Sequence, residues 1–504
     1  MNYLLALDVG TTSVKVGLFQ PDGRCLAIAL QEYTLISNSV DQAELDPNTY
    51  WTAASKSIRE VITQAKVDPA SVSGLAVSSQ GETTIVVDSE GKPLRNALVW
   101  LDNRAVQQAE KLKTAFGENV YETTGIPEVI ATWPACKVLW IKENEPQVFA
   151  KAARFLLVQD FLVQRLCGHF VTDGSISCTT LYYDIIAHAW WSKALEAMGI
   201  DDSQLPDLLP VGAVAGNLTP TAAAELGLMV QTKVILGGMD QAVGAIGAGN
   251  IGVGVISETT GAALAIQASI SDPMIDKTRQ TPVYVHSVPN EYLFVPVCPT
   301  AGMAFKWFKD NFGTGETAQA AIEQTSAYEN LNRLAEAVPA GSDGLVMLPH
   351  LMGAFSPESN PSARGVFSGF TLHHGKGHFV RAIQEGVAFM LRRNLELIEK
   401  SGVEIKEVRT TGGGSRGRLW NQIKADVCNR PFVTLENEDT ALVGDAILAG
   451  VACGVFPSIV DGVEKMVNLH GRILPGENVN AYEEAYQRYC KLDSSLADYF
   501  RKNY

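Results

Sequence analysis

Two carboxylates stand directly after apolar, strand-like runs, where a side chain can face a ligand. Asp8 follows "YLLAL", and Asp240 lies in "LGGMDQAVGAIGAG", with two glycines shortly before it and small residues after it. Asp8 is suited to orient hydrated Mg²⁺, which proteins bind with one or two carboxylates plus phosphate oxygens. Each acid also has a simpler explanation: Asp8 as a turn residue that bonds its own backbone, and Asp240 as a helix N-cap.

The turn after Asp8 has the composition of a phosphate-binding turn. In "DVGTTSVK", Gly10, Thr11 and Thr12 lie between two strand-like runs, and Lys15 follows. A glycine there allows successive N–H groups to converge on one anion, while the hydroxyls add donors and the lysine adds charge. The segment "SETTGAAL" repeats the Thr/Gly turn later in the chain, without the acid.

A third segment, "TTGGGSRGRLWNQIKADV", joins a strand-like run to a helical pattern through three glycines. Glycines at such a junction let a ligand lie against the backbone and the helix N-terminus. A tight strand-to-helix turn explains the same residues equally well. Taken together, the two Thr/Gly turns, the glycine loop and the two strand-end acids suit phosphoryl transfer, which needs positioning, a metal and a base.

The pattern of strands and turns needed to position these residues occurs twice. "YLLALDVGTTSVKVGLF" predicts a β-hairpin, and "VGVISETTGAALAIQA" predicts a second strand–turn–strand unit. "LFVPVCP" predicts a strand, and helical patterns dominate from Glu128 to about Leu228. A long amphipathic helix is predicted to end at Gly402. Strands mixed with helices indicate an α/β fold, with a boundary near Gly249.

Composition excludes several classes of protein. The chain has 504 residues and a formal net charge of −15, which argues against a nucleic-acid surface. Its eight cysteines include no C-x-x-C, so we expect a reduced, cytoplasmic protein without a zinc site. Neither a signal peptide nor a membrane span is expected. The cluster of His373, His374 and His378 favours a polar loop that runs into a helix over a metal site.

At this point the chain resembles the FGGY carbohydrate kinases, of the actin/Hsp70/sugar-kinase superfamily, over nearly its whole length. The segments that carry the resemblance are "LALDVGTTSVKVGLF", "GKPLRNALVWLDNRA", "TTGIPEVIATWPACKVLWIKENEP", "LVQDFLVQRLCG", "GGMDQAVGAIGAG", "ARGVFSGFTLHHGKGHFVRAIQEGVAF" and "TTGGGSRGRLWNQIKADVCNRP". The resemblance implies two RNase H-like α/β domains flanking a cleft. Residues 1–249 would bind the sugar and carry the first phosphate loop, and residues 250–504 would bind the nucleotide.

The resemblance also implies roles for individual residues. Asp240 falls on the catalytic base, and Asp8 on the Mg²⁺-orienting acid, with Asp240 assisting through waters. The positions implied for the phosphates and adenosine of ATP are Thr11, Thr12, Lys15, Thr260, Gly261, Gly302, Gly413, Gly414 and Ser415.

The sugar-binding residues match two groups within the family. Xylulokinases commonly read Gln-Met-His where this chain has "SSQGETT", and glycerol kinases read Gln-Arg-Glu-Thr-Thr. Gly81 lacks a side chain there, which suits a longer polyol or ketose, while Gln241 is glycerol-kinase-like. The implied sugar contacts are Gln80, Gly81, Glu82, Trp100, Asp102, Arg104, Trp133, Asp240 and Gln241. Trp100 and Trp133 are equally compatible with core positions.

One late segment departs from the family. The family's "GAA" helix reads "GDA" here, so Asp445 stands where a small residue is usual. We expect a solvated or capping acid at this position.

The resemblance implies an ATP- and Mg²⁺-dependent kinase that phosphorylates a primary hydroxyl of a small sugar, with a ketopentose such as D-xylulose favoured. Glycerol or another short polyol is the alternative substrate. A non-catalytic, actin-like ATP-binding protein is the alternative of a different class, and a sugar-binding protein without transfer is a third. A homodimer is what the family suggests.

Overall fold

The computed structural model describes residues 2–273 and 276–504. The strands of the first half are β1 Tyr3–Val9, β2 Ser13–Phe19, β3 Cys25–Glu32, β4 Glu44–Leu45, β5 Val72–Ser79, β6 Ile85–Val87, β7 Ala97–Leu98, β8 Arg154–Leu156, β9 Val171–Asp173, β10 Tyr183–Asp184, β11 Ala189–Trp190, β12 Asp207–Leu209, β13 Val214–Asn217 and β14 Lys233–Met239. Its helices are α1 Asn48–Ala65, α2 Val106–Phe116, α3 Val120–Thr124, α4 Pro134–Asn144, α5 Pro146–Phe149, α6 Val158–Cys167, α7 Gly174–Ser177, α8 Ser192–Met198, α9 Pro220–Leu226 and α10 Asp240–Gly247.

The strands of the second half are β15 Gly254–Thr260, β16 Leu264–Ile270, β17 Val283–Val285, β18 Tyr292–Phe294, β19 Val297–Cys298, β20 Val346–Leu348, β21 Val366–Ser368, β22 Ile405–Thr411, β23 Phe432–Leu435 and β24 Leu469–Ile473. Its helices are α11 Gly302–Phe312, α12 Thr314–Glu323, α13 Ala327–Glu336, α14 Lys376–Lys400, α15 Arg418–Cys428, α16 Thr440–Ala452, α17 Ile459–Met466 and α18 Val479–Asn503. Within the described ranges, no helix combines the length and apolar character needed to span a lipid bilayer.

The first sheet has the strand order β13-β14-β5-β1-β2-β3. β1 and β2 form the predicted antiparallel hairpin, and β1 also pairs in parallel with β5, which pairs in parallel with β14. The strands β1, β5 and β14 are buried along most of their length, as expected for strands covered on both faces. Because these three strands are parallel neighbours, their C-terminal ends meet at one edge of the sheet.

The second sheet repeats this plan with the order β17-β18-β16-β15-β22-β23-β24. β15 pairs antiparallel with β16 and parallel with β22, which pairs in parallel with β23. In each sheet a central strand therefore has a hairpin partner on one side and parallel strands on the other. This duplication confirms the predicted pair of α/β domains.

Helix α10 lies between the two sheets, and α16 packs beside it on the first sheet. One face of α10, with Val243 and Ile246, shares a hydrophobic cluster with Ala446 of α16 and with Leu4 and Ile235 of the first sheet. The other face of α10 belongs to the core of the second sheet. The late helix α16 thus packs against the first sheet although it comes from the second half of the chain.

Two secondary-structure predictions from the sequence needed correction. The segment from Glu128 to Leu228 contains helices, but it also contains the short strands β8–β13, which are too brief to show alternation. The predicted strand "LFVPVCP" is split into β18 and β19. Pro296 lies at the break and has no N–H for a continuous ladder.

Candidate active site

The C-terminal ends of β1, β5 and β14 bring Asp8, Gln80 and Asp240 to one edge of the first sheet. Asp8 pairs in register with Ser78 of β5, and Gln80 continues that strand by donating its N–H to the carbonyl of Val9 at 2.9 Å. One carboxylate oxygen of Asp8, Oδ1, is buried without a hydrogen-bond partner. Burial raises the pKa of Asp8 to about 6, while Lys15 lowers it and Asp439 raises it.

Asp240 is the first residue of α10, and Met239 occupies the N-cap position. Its Oδ1 accepts the N–H of the next residue, Gln241, at 2.7 Å, so the side chain does not bond to the deeper turn of the helix as an N-cap does. Burial, followed by the charge of Asp8 and more weakly by that of Glu82, raises the pKa of Asp240 well above its ordinary value; the Gln241 N–H opposes this rise. Asp8 and Asp240 are therefore close enough to influence each other.

The first phosphate turn keeps its side chains at the surface. Thr12 is exposed, and Thr11 is half-buried with its Oγ1 accepting the indole N–H of Trp100 at 2.8 Å. Lys15 forms an ion pair with Asp439, which directly precedes α16, so this turn is tied to the second half of the chain. Both members of the pair are only partly buried.

The second phosphate turn is a backbone cradle. Gly302, at the start of α11, donates its N–H to the carbonyl of Gly261 at 2.9 Å, and a Cβ added at Gly302 would lie only 2.4 Å from that oxygen. A Cβ at Gly414 would lie 2.4 Å from the Thr260 side chain, whereas one at Gly413 would meet nothing within 4 Å. The structure thus brings together the turn, the α11 terminus and the glycine loop predicted for the nucleotide.

A buried ion pair between Lys424 and Glu258 supports this cradle. Lys424 of α15 is fully buried and donates to Glu258 Oε1 at 2.6 Å and to Thr260 Oγ1 at 2.8 Å. Thr260 in turn donates its hydroxyl to Glu258 Oε2 at 2.7 Å. The Thr260 hydroxyl is therefore engaged inside the protein, which leaves the backbone of this turn to face a phosphate. Ser415 is engaged in the same way, since its hydroxyl donates to the carbonyl of Gly412 at 2.7 Å.

The segment predicted to contact the sugar has an unusual backbone. Glu82 has a φ of 58°, a left-handed conformation that non-glycine residues adopt rarely and mainly at constrained or functional positions. Gln80 is buried; its Nε2 donates to the hydroxyl of Tyr50 at 3.2 Å, while its Oε1 has no partner. A Cβ at Gly81 would lie 3.0 Å from Thr179 atoms, so Thr179 fills the space that Gly81 was expected to leave for a longer substrate.

Lys137 holds this segment in place. It is fully buried in α4 and donates to the carbonyl oxygens of Glu82 at 3.0 Å and Val99 at 2.9 Å. Burial lowers the pKa of Lys137 to about 7, against the charges of Glu82 and Asp102. Burial also raises the pKa of Glu82 to about 7, against the charge of Lys137.

Two predicted sugar contacts, Asp102 and Arg104, bond to groups of the protein itself. Asp102 is fully buried and accepts the N–H of Ala43 at 2.8 Å and two bonds from Arg104, with Nε–Oδ1 at 2.8 Å and Nη2–Oδ2 at 2.7 Å. Arg104 also pairs with Glu44 at 2.7 Å and stacks on Trp140. Because all these polar groups face one another, the pair braces the loop that carries Trp100.

The two predicted tryptophans differ from each other. Trp133 is 7% exposed and donates its indole N–H to the carbonyl of Glu128 at 2.9 Å, within a hydrophobic cluster, which supports the core alternative. Trp100 is 38% exposed and connects the sugar side to Thr11. Gln241 is exposed, and its carbonyl accepts from Gln267 Nε2 at 3.1 Å.

Asp445 was expected to be solvated or capping, and this expectation is wrong. The residue lies in the middle of α16 and is fully buried, because this face of α16 packs against the first sheet. Ser78 donates its hydroxyl to Asp445 Oδ2 at 2.6 Å. Asp445 is thus a third acid beneath the strand ends that carry Asp8 and Asp240.

The histidine cluster lies at the start of α14. One ligand-type atom from each of Asp343, His373 and His378 lies within 4.8 Å of the others. His378 Nδ1, however, accepts the N–H of Gly375 at 3.1 Å and so caps the helix. This arrangement agrees with the predicted polar loop.

Comparison with known proteins decides the family. The model of the FGGY family of carbohydrate kinases, N-terminal domain, matches residues 3–247, and the model of the C-terminal domain of the same family matches residues 259–453. The chain belongs to the FGGY family of carbohydrate kinases. It is therefore a sugar kinase of the phosphotransferase class, and ATP is the phosphoryl donor that this family implies.

Relatives of this FGGY kinase extend over its full length. It is 30% identical over 510 residues to a xylulose kinase of Bacillus subtilis (strain 168), with 100% of both chains covered. A gluconokinase of Bacillus licheniformis is 29% identical, with 98% of this chain and 96% of the relative covered. The crystal structure of a ligand-bound xylulose kinase from Lactobacillus acidophilus superposes with a TM-score of 0.90 at 26% identity, covering 100% of both chains.

Several residues of the FGGY kinase site escaped the sequence reasoning. Lys137 and Lys424 are single lysines in otherwise helical patterns, which normally indicate a solvated face. The signal available for Lys137 was its position in "WPACKVLW", where apolar residues surround it on all sides. No local signal identifies Asp439 or Thr179, because their partners lie far away in the sequence.

Proposed function

We propose that this FGGY kinase transfers the γ-phosphoryl group of Mg²⁺-ATP to a primary hydroxyl of D-xylulose. The observation that carries the proposal is the convergence of Asp8 and Asp240 on parallel strand ends, with one phosphate turn on each half of the chain. The xylulose kinases among its relatives support the choice of sugar. Residues 1–249 would carry the sugar and the first phosphate turn, and residues 250–504 the nucleotide.

In this proposal Asp240 accepts the proton of the attacking hydroxyl. Its place at the first turn of α10, beside small residues, leaves room for the hydroxyl, and its raised pKa makes it a stronger base than an ordinary aspartate. Lys15 and the N–H groups of both turns would stabilise charge on the transferred group. Closure of the two halves would exclude water, the smaller competing acceptor.

The acids fit a Mg²⁺ ion. Asp8 carries a buried oxygen without a partner, which is the kind of hard ligand that Mg²⁺ accepts, and Asp240 is near enough to contribute through water. A bound Mg²⁺ would neutralise negative charge on the phosphate oxygens. Asp8 would orient it from the end of β1.

The charge at the sugar segment favours a neutral acceptor over a sugar acid such as gluconate. Glu82 brings a carboxyl to this segment, and the nearby Lys137 already bonds two backbone carbonyls. The charge of Lys137 already acts on Glu82, and no second cation faces Glu82 in its described surroundings, so a carboxylate on the substrate would find no cation of its own. Glycerol or another short polyol remains the alternative, in line with Gln241.

A panel of acceptors tests the substrate. ADP release would be measured with D-xylulose, D-ribulose, glycerol, erythritol and gluconate at matched concentrations. We expect the highest kcat/KM with D-xylulose. A higher value with glycerol or erythritol would replace the ketopentose by a polyol, and ATP binding without any acceptor-stimulated ADP release would support a non-catalytic, actin-like protein.

Asp240→Asn tests the mechanism. We expect kcat to fall by roughly 10²–10⁴-fold, because the amide cannot accept the proton. Asp202→Asn, the same substitution at an exposed acid of the first half that is not among the predicted site residues, is the matched control. An Asp240→Asn enzyme within tenfold of the wild-type kcat would contradict the assigned role. A homodimer, a cytoplasmic location and the absence of a nucleic-acid partner stay predictions of the sequence.

A further inference from the structure

Asp445 makes a buried polar contact between the two halves of the chain. It belongs to α16 of the second half, and its Oδ2 accepts the hydroxyl of Ser78, on β5 of the first sheet, at 2.6 Å. Its other oxygen, Oδ1, is buried without a hydrogen-bond partner. Burying a carboxyl with an unpaired oxygen costs free energy, whereas an alanine would fit a helix packed on a sheet without that cost. A buried acid at this position therefore calls for a role that an apolar residue could not fill.

The carboxyl lies where β5 and β14 deviate from regular pairing. The register of these two strands shifts between Leu236 and Gly238, so Gly237 forms a bulge. A Cβ at Gly237 would lie 2.2 Å from Asp445 Oδ1, which means that the carboxyl occupies the space beside the bulge. Asp445 therefore contacts both strands at once, Ser78 on one and Gly237 on the other.

Both contacts adjoin the acids of the proposed mechanism. Ser78 pairs in register with Asp8 across β1 and β5. Gly237 stands three residues before Asp240, in the strand that delivers it. Burial raises the pKa of Asp445 well above its ordinary value, and the charges of Asp8 and Asp240 add to this rise, whereas the Ser78 hydroxyl opposes it. The three acids therefore lie close enough to interact electrostatically.

We propose that Asp445 is a positioning residue, whose carboxyl holds the Ser78–Gly237 junction so that Asp240 and Asp8 face each other. The inference rests on the proposed function, since it assigns to Asp445 the alignment of the proposed base. A β-bulge re-aims the residues that follow it, and the carboxyl fixes this bulge from the second half of the chain. Misplacement of a reacting group by about 1 Å is enough to cost up to 10²-fold in rate.

Asp445→Ala and Asp445→Asn form the test. Alanine removes both contacts, and we expect kcat to fall at least about tenfold while KM for ATP and for sugar stays near the wild-type value. Asparagine keeps the volume and an oxygen that accepts from Ser78, and we expect it to restore most of kcat. Ser78→Ala should also lower kcat. The double variant with Asp445→Ala should be little worse than Asp445→Ala alone, because both substitutions remove the same hydrogen bond between Ser78 and Asp445.

Ile447→Ala is the matched control. Ile447 is buried on the same helix and lies against Gly462 of α17, so its truncation lowers stability without removing either contact of the Asp445 carboxyl. Melting temperatures would be measured for all variants. The proposal is overturned if Asp445→Ala keeps the wild-type kcat, or if it loses kcat only to the extent that Ile447→Ala does at equal loss of stability. If Asp445→Ala does not fold, the other two variants decide. A folded Asp445→Asn enzyme with low kcat, together with a fully active Ser78→Ala enzyme, would also overturn the proposal.

The proposed function can fail separately. In that case the wild-type protein would show no acceptor-stimulated ADP release with any member of the panel, whatever the state of Asp445. An active wild-type enzyme whose Asp445 variants keep their turnover would leave the proposed function standing and remove only the positioning role.

Discussion

The two Thr/Gly turns occupy equivalent places in the two sheets, yet they are built differently. The turn after Asp8 keeps Thr12 exposed, and its Lys15 makes a partly exposed ion pair with Asp439. The turn at Thr260 has its hydroxyl buried in a network with Glu258 and Lys424. The difference predicts that the first turn would act on a phosphate through side chains that can change partners, whereas the second would present backbone groups on a fixed support.

The largest effect on folding is expected for the buried support. Lys424→Met leaves Glu258 buried without its cation, and we expect a loss of about 3–5 kcal/mol in the free energy of unfolding. Denaturant titration would measure it. The double variant Lys424→Met/Glu258→Gln removes the uncompensated charge and should recover part of the loss. Unchanged stability of Lys424→Met would show that the second turn does not depend on this network.

Lys15→Met should have the opposite profile. Its ion pair is partly exposed, so the loss of stability should be about 1 kcal/mol or less. If Lys15 stabilises charge on the transferred group, kcat should fall by about 10²-fold. Steady-state kinetics would measure this fall, with Lys15→Arg as the variant that keeps the charge. A stable enzyme with normal kcat would mean that the first turn, too, acts through its backbone.

Gly302→Ala tests the cradle with a single methyl group. A Cβ there would lie 2.4 Å from the carbonyl of Gly261, so the turn has to shift. Overpacking of about 1–3 kcal/mol that falls on ATP binding corresponds to a rise of roughly 5- to 150-fold in KM for ATP. The control is Gly315→Ala on the neighbouring α12, where a Cβ meets nothing within 4 Å. Equal KM values for the two variants would argue against the cradle.

The smallest expected effect is a shift in the pH profile. The pKa of Asp8 is raised to about 6 by burial, lowered by Lys15 and raised by Asp439, so activity that needs ionised Asp8 should decline below about pH 6. Asp439→Asn removes a negative charge that raises the pKa of Asp8. It also frees Lys15, whose positive charge lowers that pKa. The acid limb of the kcat/KM profile should therefore move to lower pH. Glu438→Gln, on the acid that pairs with Arg416, is the control. A limb that stays in place, or moves to higher pH, would show that Asp439 does not act on Asp8.

The hairpins and amphipathic helices of the fold could be predicted from the sequence, because local patterns of apolar, polar and turn residues specify them. The hairpin around Gly10 and the long amphipathic helix predicted to end at Gly402, which spans Lys376–Lys400, are examples. The faces of these elements were not readable in the same way. Asp445 looked like a surface acid because the pattern of α16 does not tell that the first sheet covers it.

The site followed the same division. The glycines of the nucleotide side were predictable, since close backbone approach demands that residue type. Asp102 and Trp133 stay predictions as sugar contacts: both are buried and bonded within the protein, and residue type alone does not reveal whether a side chain faces the cleft or braces the loop behind it. Lys137 and Lys424 were missed because the carbonyls that Lys137 bonds are 38 or more residues away and Glu258, the ion-pair partner of Lys424, is 166 residues away, and only folding brings such groups together.

The left-handed backbone at Glu82 limits how the acceptor range of this kinase can be re-engineered. A saturation library at this position would not sample side chains evenly, since β-branched and bulky residues oppose a φ of 58° at a cost of about 1–3 kcal/mol. Glycine, asparagine and aspartate tolerate this conformation best. A useful library therefore combines those three residues at position 82 with variation at Thr179, whose hydroxyl accepts the N–H of Glu82 at 3.3 Å.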